Sequence, residues 1–348
     1  MRFKRVLLAA LLFVLLPLTP RPRVLAASGP EGIPRLQHVA IIVLENTSYA
    51  AAWGAGSTAA PYLNSLRRSG TLLTQYFATA HNSATDYISL TSGQSPDPLT
   101  STDCINWFLC MGALSNPAVS GGASIADQLE HARYSWKGYM EDMPAPCTHA
   151  QPTDLTDPYQ GNSTKPPGHN YADRHNPFIY YAPITSNSAR CAAHVVPFTQ
   201  FAPDLTSGRL PNYSFIVPNT CEDGHDTPRC ADGSPGGLPT ADRWLHQHVP
   251  ALLSYLMRNR GMLAITFDEA SGDSSGCCGG GVGGAPGFGG RVGLLALSPS
   301  IAAGRQIATP YDHVSLLRTV EDAFGITAHL NNASAPSEHA MTNLFASH

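Results

Sequence analysis

Two runs of apolar residues each end abruptly in side chains that could bind a cation. Glu45 and Asn46 follow His38–Leu44 (HVAIIVL), and Asp268 and Glu269 follow Met262–Phe267 (MLAITF). Carboxylate and amide oxygens suit hard cations such as magnesium, calcium or manganese, and zinc enters the set if a histidine joins. An acid after a strand is as readily the cap of the next helix. Two such pairs in one chain point to a shared site. A third polar cluster, Glu222-Asp223-Gly224-His225-Asp226, follows the short run Ser214–Val217 (SFIV). By itself His225 reads as an ordinary loop histidine. Ser83 lies in His81-Asn82-Ser83-Ala84-Thr85-Asp86-Tyr87, where the pattern predicts the start of a helix. Free amides and the positive dipole end at such a place suit a phosphate bound over a nucleophile. The plainer reading is a capping serine.

Other motifs carry less. Gly272-Asp273-Ser274-Ser275-Gly276 matches the G-x-S-x-G elbow of serine hydrolases, which needs a strand before it and a helix after it. The sequence that follows, CCGGGVGGAPGFGG, predicts no helix. Residues 271–290 hold ten glycines but lack the Gly-Lys-Ser/Thr ending of a phosphate-binding P-loop, so a mobile loop over the cation site is expected there. His246 and His248 are two apart on a predicted helix and face different directions.

Longer matches give these residues a context. HVAIIVLENTSY, APYLNSL, HNSATDYISLTSG, YADRHNPF, PNYSFIVPNTCEDGHD, ADRWL, AITFDEA and YDHVSLLRTVEDAFG occur in this order from about His38 to Gly325. In these motifs the chain resembles the bacterial phosphoesterase family that groups secreted acid phosphatases with phospholipases C on an alkaline-phosphatase-like fold. The resemblance implies metal ligands at Glu45, Asn46, Asp268 and Glu269 and a nucleophile at Ser83. It implies that His225 contacts phosphate or assists the leaving group, and it makes His175, in RHNPF, a further candidate of the substrate pocket. Asp223 and Asp226 fall to ligands or to residues that hold them, and His313 matches a late histidine without an assigned role. Where the family usually has Ser-x-Pro-Asn-Tyr, this chain has Ser83-Ala84-Thr85-Asp86-Tyr87. An amide there donates to a phosphate oxygen, whereas an ionised carboxylate accepts only. If Asp86 faces the phosphate, activity should favour acidic pH and Asp86→Asn should move the optimum upward.

The elements that must position these residues are legible in outline. His38–Leu44, Met262–Phe267 and Val292–Leu297 read as buried strands, with a further strand near Thr71–Phe77 and a short one at Ser214–Val217. Pro61–Arg68, Ser83–Thr91, Ala241–Met257 and His313–Phe324 read as helices, the last stopped by Gly325. Pro144 to Pro211 reads as loop-rich. Alternation of strands and helices makes the class α/β with a mostly parallel sheet flanked by helices, and ligands of such sheets gather beyond the carboxyl ends of the strands.

The 348 residues are 43% hydrophobic and 13% charged, with 31 Gly and 29 Pro. A large core can form, and many loops must connect it. A net charge of −4 supplies no basic field for nucleic acid. Arg2, Lys4 and Arg5 precede an apolar run from Val6 to Leu16, too short to span a bilayer and suited to a signal peptide cleaved near Ala26-Ala27. Residues 1–27 are therefore expected to be removed, leaving one domain over 28–348 with no transmembrane anchor. Eight cysteines fit an oxidising compartment, and the economical local pairs are Cys104–Cys110, Cys147–Cys191 and Cys221–Cys230. Adjacent Cys277 and Cys278 either bridge each other or pair elsewhere. The combined expectation is a secreted hydrolase of phosphate esters that needs a divalent metal, with a phosphomonoesterase favoured. The alternatives are a phosphodiesterase of the phospholipase C type and, in another class, a non-catalytic secreted binding protein.

Overall fold

The computed structural model describes residues 30–115, 123–160, 169–225, 230, 233 and 236–345. The expected signal segment 1–27 and Asp226 lie outside the described residues. In chain order the strands are β1 (His38–Leu44), β2 (Thr71–Leu73), β3 (Tyr76–Phe77), β4 (Trp136–Met140), β5 (Val195–Pro197), β6 (Tyr213–Val217), β7 (Gly261–Phe267), β8 (Leu294–Leu297), β9 (Arg305–Ile307) and β10 (Tyr311–Asp312). Eight of them form one sheet in the order β5-β4-β6-β1-β7-β8-β2-β9, and β3 pairs with β10 apart from it. The run β5-β4-β6-β1-β7 is parallel throughout. β8 lies antiparallel between β7 and β2. The expected α/β class with a mostly parallel sheet is what forms.

The central strands are apolar on both faces because helices cover both. Val39 to Leu44 and all of β7 are buried. The helix Leu238–Arg258 packs on β7 and β1, and the helices Ser83–Ser92 and His313–Phe324 pack on each other. Register then aligns the site. β1 pairs with β7 from His38↔Gly261 to Leu44↔Phe267, so the next residues, Glu45 and Asp268, emerge level at the carboxyl edge. The Asp268 amide donates to the Leu44 carbonyl at 2.8 Å and extends the ladder by one step.

Three expectations need correction. The stretch near Thr71–Phe77 is two strands in different sheets, β2 and β3. The stretch 144–211 carries the edge strand β5 and several short helices, held by Cys147–Cys191; elements of three to seven residues show no readable periodicity. The glycine-rich loop 271–290 is pinned, not loose. Phe288 donates to Thr79 and Gly289 to Ala78, both at 3.2 Å, and a Cβ on Gly289 would come within 2.1 Å of the Ala80 carbonyl. Strand β4 gave no apolar run because Lys137 and Gly138 interrupt it. Lys137 Nζ reaches Asp204 at 2.6 Å, and a Cβ on Gly138 would sit 2.8 Å from the Phe178 ring. The three local disulfides form as expected, and Cys277 bridges Cys278.

Asp312 opens the last helix, its Oδ1 accepting from Val314 (2.9 Å) and Ser315 (3.0 Å) and its Oδ2 from Gly280 (3.0 Å). Glu338 accepts from Gly279 at 3.1 Å, so two buried carboxylates tie the glycine-rich loop to this helix. Burial, then the charge of Glu338, pushes the Asp312 carboxyl up to about 8. The native state thus keeps a proton that the unfolded chain, with an Asp pKa of about 3.9, releases. Stability from this group is complete below about pH 4 and is lost as pH climbs toward about 8. Asp312→Asn should flatten the fall of unfolding free energy over that window in denaturant titrations. A slope as steep as in the parent would assign the proton to another group.

Candidate active site

Ser83 is the first residue of a ten-residue helix, Ser83–Ser92, with Asn82 at the N-cap. The hydroxyl is therefore not spent on capping, contrary to the plainer reading. Ser83 Oγ donates to Glu45 Oε2 at 3.1 Å. One helical turn on, Tyr87 Oη donates to Glu45 Oε1 at 2.8 Å. Residues four apart share a helix face, and here both hold one carboxylate. The Ala84 amide at the helix start is taken by Asp103 Oδ1 at 3.1 Å.

The acids from the strand ends converge on the same place. Asp268 Oδ1 accepts from the amides of Asn46 (2.8 Å) and Glu269 (2.6 Å). The Glu45 amide donates to the Asp223 carbonyl at 2.9 Å, which draws the loop after β6 against β1. Ligating atoms of Glu45, His175 and Asp223, all buried, lie within 4.8 Å of one another. Asn46 Oδ1, Asp268 Oδ2, Glu269 Oε2 and His175 Nε2 are buried without a hydrogen-bond partner. Like charges this close are costly to bury. Burial, then the charges of Asp268 and Asp223, pushes the Glu45 carboxyl well above the usual range. Burial raises Asp268 too. Burial, followed by Asp268, Asp86 and Asp103, pushes Glu269 up to about 10. Crowded oxygens with unused lone pairs and a neutral imidazole make a donor set that fits a divalent cation.

The histidines divide by position. His175 is buried, stacks on Tyr87 with ring centroids 5.3 Å apart, and puts Nε2 3.4 Å from Glu45 Oε1. Burial, then Arg174 and His225, holds it well below its ordinary pKa, so the ring is neutral. His225 is exposed; its amide donates to Asp223 Oδ1 at 3.0 Å, and its Nδ1 accepts from Asn46 Nδ2 at 3.0 Å. His313 is a buried support: Tyr76 Oη donates to its Nδ1 (3.0 Å), and its Nε2 donates to the Asp268 carbonyl (2.6 Å). Burial lowers it to about 4.

Thus Glu45, Asn46, Asp268, Glu269, Ser83, His225 and His175 come together at one carboxyl edge. Sequence reasoning missed Tyr87 and Asp103; the i, i+4 spacing of Ser83 and Tyr87 was the available signal for the first. Asp86 does not face a phosphate pocket. Its Oδ1 accepts from Thr79 N (2.8 Å), Thr79 Oγ1 (2.7 Å) and Ala80 N (3.1 Å), because the chain before the helix folds back over it. Ser274 lies 3.2 Å from His81 Nε2 but sits in irregular chain, without the helix that a serine-hydrolase elbow requires.

The architecture is alkaline-phosphatase-like. It is shared with an alkaline phosphatase superfamily protein from Vibrio parahaemolyticus, at TM-score 0.54 and 14% identity over 89% of this chain and 72% of that one. The lipoteichoic acid synthase LtaP of Listeria monocytogenes matches at TM-score 0.55 and 12% identity, over 89% and 76%. The Phosphoesterase family profile matches residues 56–327, and the chain belongs to that family. It is 30% identical over 252 residues to a phosphatidylinositol-3-phosphatase of Mycobacterium tuberculosis, covering 72% of this chain and 68% of the relative. It is 28% identical over 286 residues to a probable acid phosphatase of Kluyveromyces lactis, covering 81% and 56%, and 28% identical over 208 residues to a phosphate-repressible acid phosphatase of Penicillium chrysogenum, covering 60% and 43%. The chain thus spans about half the length of these fungal relatives. The class of chemistry is phosphoric ester hydrolysis, which sets aside a non-catalytic binding protein.

Two measurements check the site. Saturating divalent cation should raise the melting temperature of chelator-treated protein by about 5 °C, and Glu45→Gln should abolish the gain. Asp86→Asn should lower the melting temperature and leave the pH optimum where it was; a shifted optimum would return Asp86 to the phosphate.

Proposed function

We propose that this protein is a metal-dependent phosphomonoesterase working through a phosphoseryl intermediate on Ser83. The observation that carries the reading is the Ser83 hydroxyl, at a helix start, bonded to Glu45 within a crowd of underused carboxylate oxygens. The acid phosphatases among its relatives support monoesters over diesters. A divalent cation held by Glu45, Asn46, Asp268 and Glu269, with Asp223 and His175 closing the set, would supply positive charge that lowers the Ser83 pKa and screens the phosphate oxygens.

Ser83 Oγ loses its proton to Glu45 Oε2 as it attacks phosphorus opposite the leaving oxygen. The Ser83 O–P bond forms and the ester P–O bond breaks. His225, exposed and with Nδ1 held by Asn46, presents Nε2–H to the departing alcohol. Water then cleaves the phosphoseryl ester and restores the hydroxyl. The buried, neutral ring of His175 suits it to hold Glu45 and the cation rather than to protonate a leaving group. The apolar run Val6–Leu16, the small residues Ala26-Ala27 and four disulfides support export of a single domain over 28–348.

Ser83→Ala should lower kcat on para-nitrophenyl phosphate by about three orders of magnitude or more with an unchanged fold. Acid-quenched turnover should leave one phosphate on the Ser83 peptide. Phosphate on a histidine would replace this mechanism, and faster turnover of phosphatidylcholine or a bis-ester than of monoesters would favour the phospholipase C-type alternative.

A further inference from the structure

The exposed large apolar side chains among the described residues are Ile105, Phe108, Leu109, Leu155, Val282 and Phe288. Ile105, Phe108 and Leu109 lie at the start of the helix Trp107–Leu114, Val282 and Phe288 lie on the glycine-rich loop, and Leu155 lies on a third segment that packs against the first. Ile105 is two residues past Asp103, which holds the Ala84 amide beside the nucleophile. Leu155 joins that patch, since its carbonyl accepts from Asn106 Nδ2 (3.4 Å) and the Ile105 carbonyl accepts from the Asp157 amide (2.9 Å). On the other side, Phe288 donates its amide to Thr79, and Phe288 and Val282 line a cavity of about 310 Å³ with His81. Pro96 belongs both to that cavity and to a neighbouring one of about 570 Å³, lined by Leu99 and Ala113 together with Gln94, Asp97 and Asn332, which lies between the two segments.

The charge pattern of these loops is as one-sided as their shape. No Asp, Glu, Lys or Arg stands between Asp103 and Asp127, and none between Asp273 and Arg291. Scattered apolar residues on a surface need no account, but clustered ones around a site mark an interaction. A protein partner's interface ordinarily carries a polar rim. The stretches 104–126 and 274–290 carry no charge and expose Ile105, Phe108, Leu109, Val282 and Phe288. They can enter the headgroup and acyl boundary of a bilayer, while Asp97 and Asp154 beside them stay with the polar headgroups. Each loop is also stiffened by a short disulfide, Cys104–Cys110 on one and Cys277–Cys278 on the other.

We infer that these two loops seat the protein on a lipid bilayer, with the site mouth facing phosphate esters at headgroup depth. The inference rests on the phosphoric-ester reading for its orientation, and its occupant is the bilayer itself. With a net charge of −4 and no Lys or Arg in 104–126 or 274–290, the attachment is hydrophobic. It should therefore persist on neutral phosphatidylcholine vesicles and change little between low and high salt.

The full chain should cosediment with phosphatidylcholine vesicles. Phe288→Ser and Leu109→Ser should each weaken the partition by about tenfold, the cost of losing one buried large side chain. Both should hydrolyse soluble para-nitrophenyl phosphate at the parent rate, and Leu155→Ser, at 88% exposure, is a third probe that the fold cannot feel. The inference is overturned if the parent protein fails to cosediment, if the variants bind as well as the parent, or if binding disappears at high salt. It is likewise overturned if the substitutions instead dissolve a dimer of this chain. Loss of soluble turnover in a parent protein that still cosediments would remove the phosphomonoesterase reading and leave the membrane surface standing.

Discussion

Glu45 and Asp268 lie side by side because β1 and β7 pair in parallel and in register up to Leu44 and Phe267. Each strand then turns out of the sheet, and the next side chain has nowhere to go but toward its neighbour's. Asp223 is drawn to the same place by the hydrogen bond from the Glu45 amide. Carboxylates buried together in an apolar protein repel, and effective costs of several kcal/mol per ion are usual for such burial. Most of the surrounding polar structure answers that repulsion. Two amides converge on Asp268 Oδ1, and two hydroxyls converge on Glu45. What the protein does not neutralise is a set of buried lone pairs, and these fit a divalent cation.

A second ring of contacts fixes the angle at which those acids meet. His313 grips the Asp268 carbonyl from behind and is itself held by Tyr76 from β3. Asp86 gathers Thr79 and Ala80, which sets the entry of the chain into the Ser83 helix. Asp103 takes an amide at that helix start from a different loop. None of these contacts is made to Ser83 Oγ itself, yet each constrains where it lies relative to Glu45. The Phe-Gly-Gly end of the glycine-rich loop completes the frame by packing on residues 78–80 too closely for any Cβ at Gly289.

The site is consequently polar and crowded within, and apolar at its mouth. Strand ends supply the acids, a helix start supplies the hydroxyl, and the segments around Ile105–Leu109 and Val282–Phe288 expose apolar side chains. This division follows from the fold: in a parallel sheet the rigid ends of strands place ligands accurately, while the connecting loops are free to vary in length and polarity.

The strands β1 and β7, the helices at 83 and 313, and the acids that end the two strands were legible in the sequence. Each is a long apolar or amphipathic run closed by a polar residue, a signal that depends on neighbours in the chain. The candidate residues Glu45 and Asp268 were legible as the abrupt polar ends of such runs, whereas Ser83 by itself read as a capping serine and stood out only through the resemblance of its motif. Strand β4 was not, because Lys137 and Gly138 are explained by Asp204 and Phe178, which lie far along the chain. Asp86 shows the limit most clearly. Its position beside Ser83 suggested chemistry, and its type suggested a pH effect. Its direction was decided by the fold of residues 79–80 over the helix, and that fold is set by the loop from 287 to 290. Sequence determines which side chains exist and roughly which element carries them. Which way a buried carboxylate turns is settled by donors brought from elsewhere, and those are placed only when the tertiary structure closes.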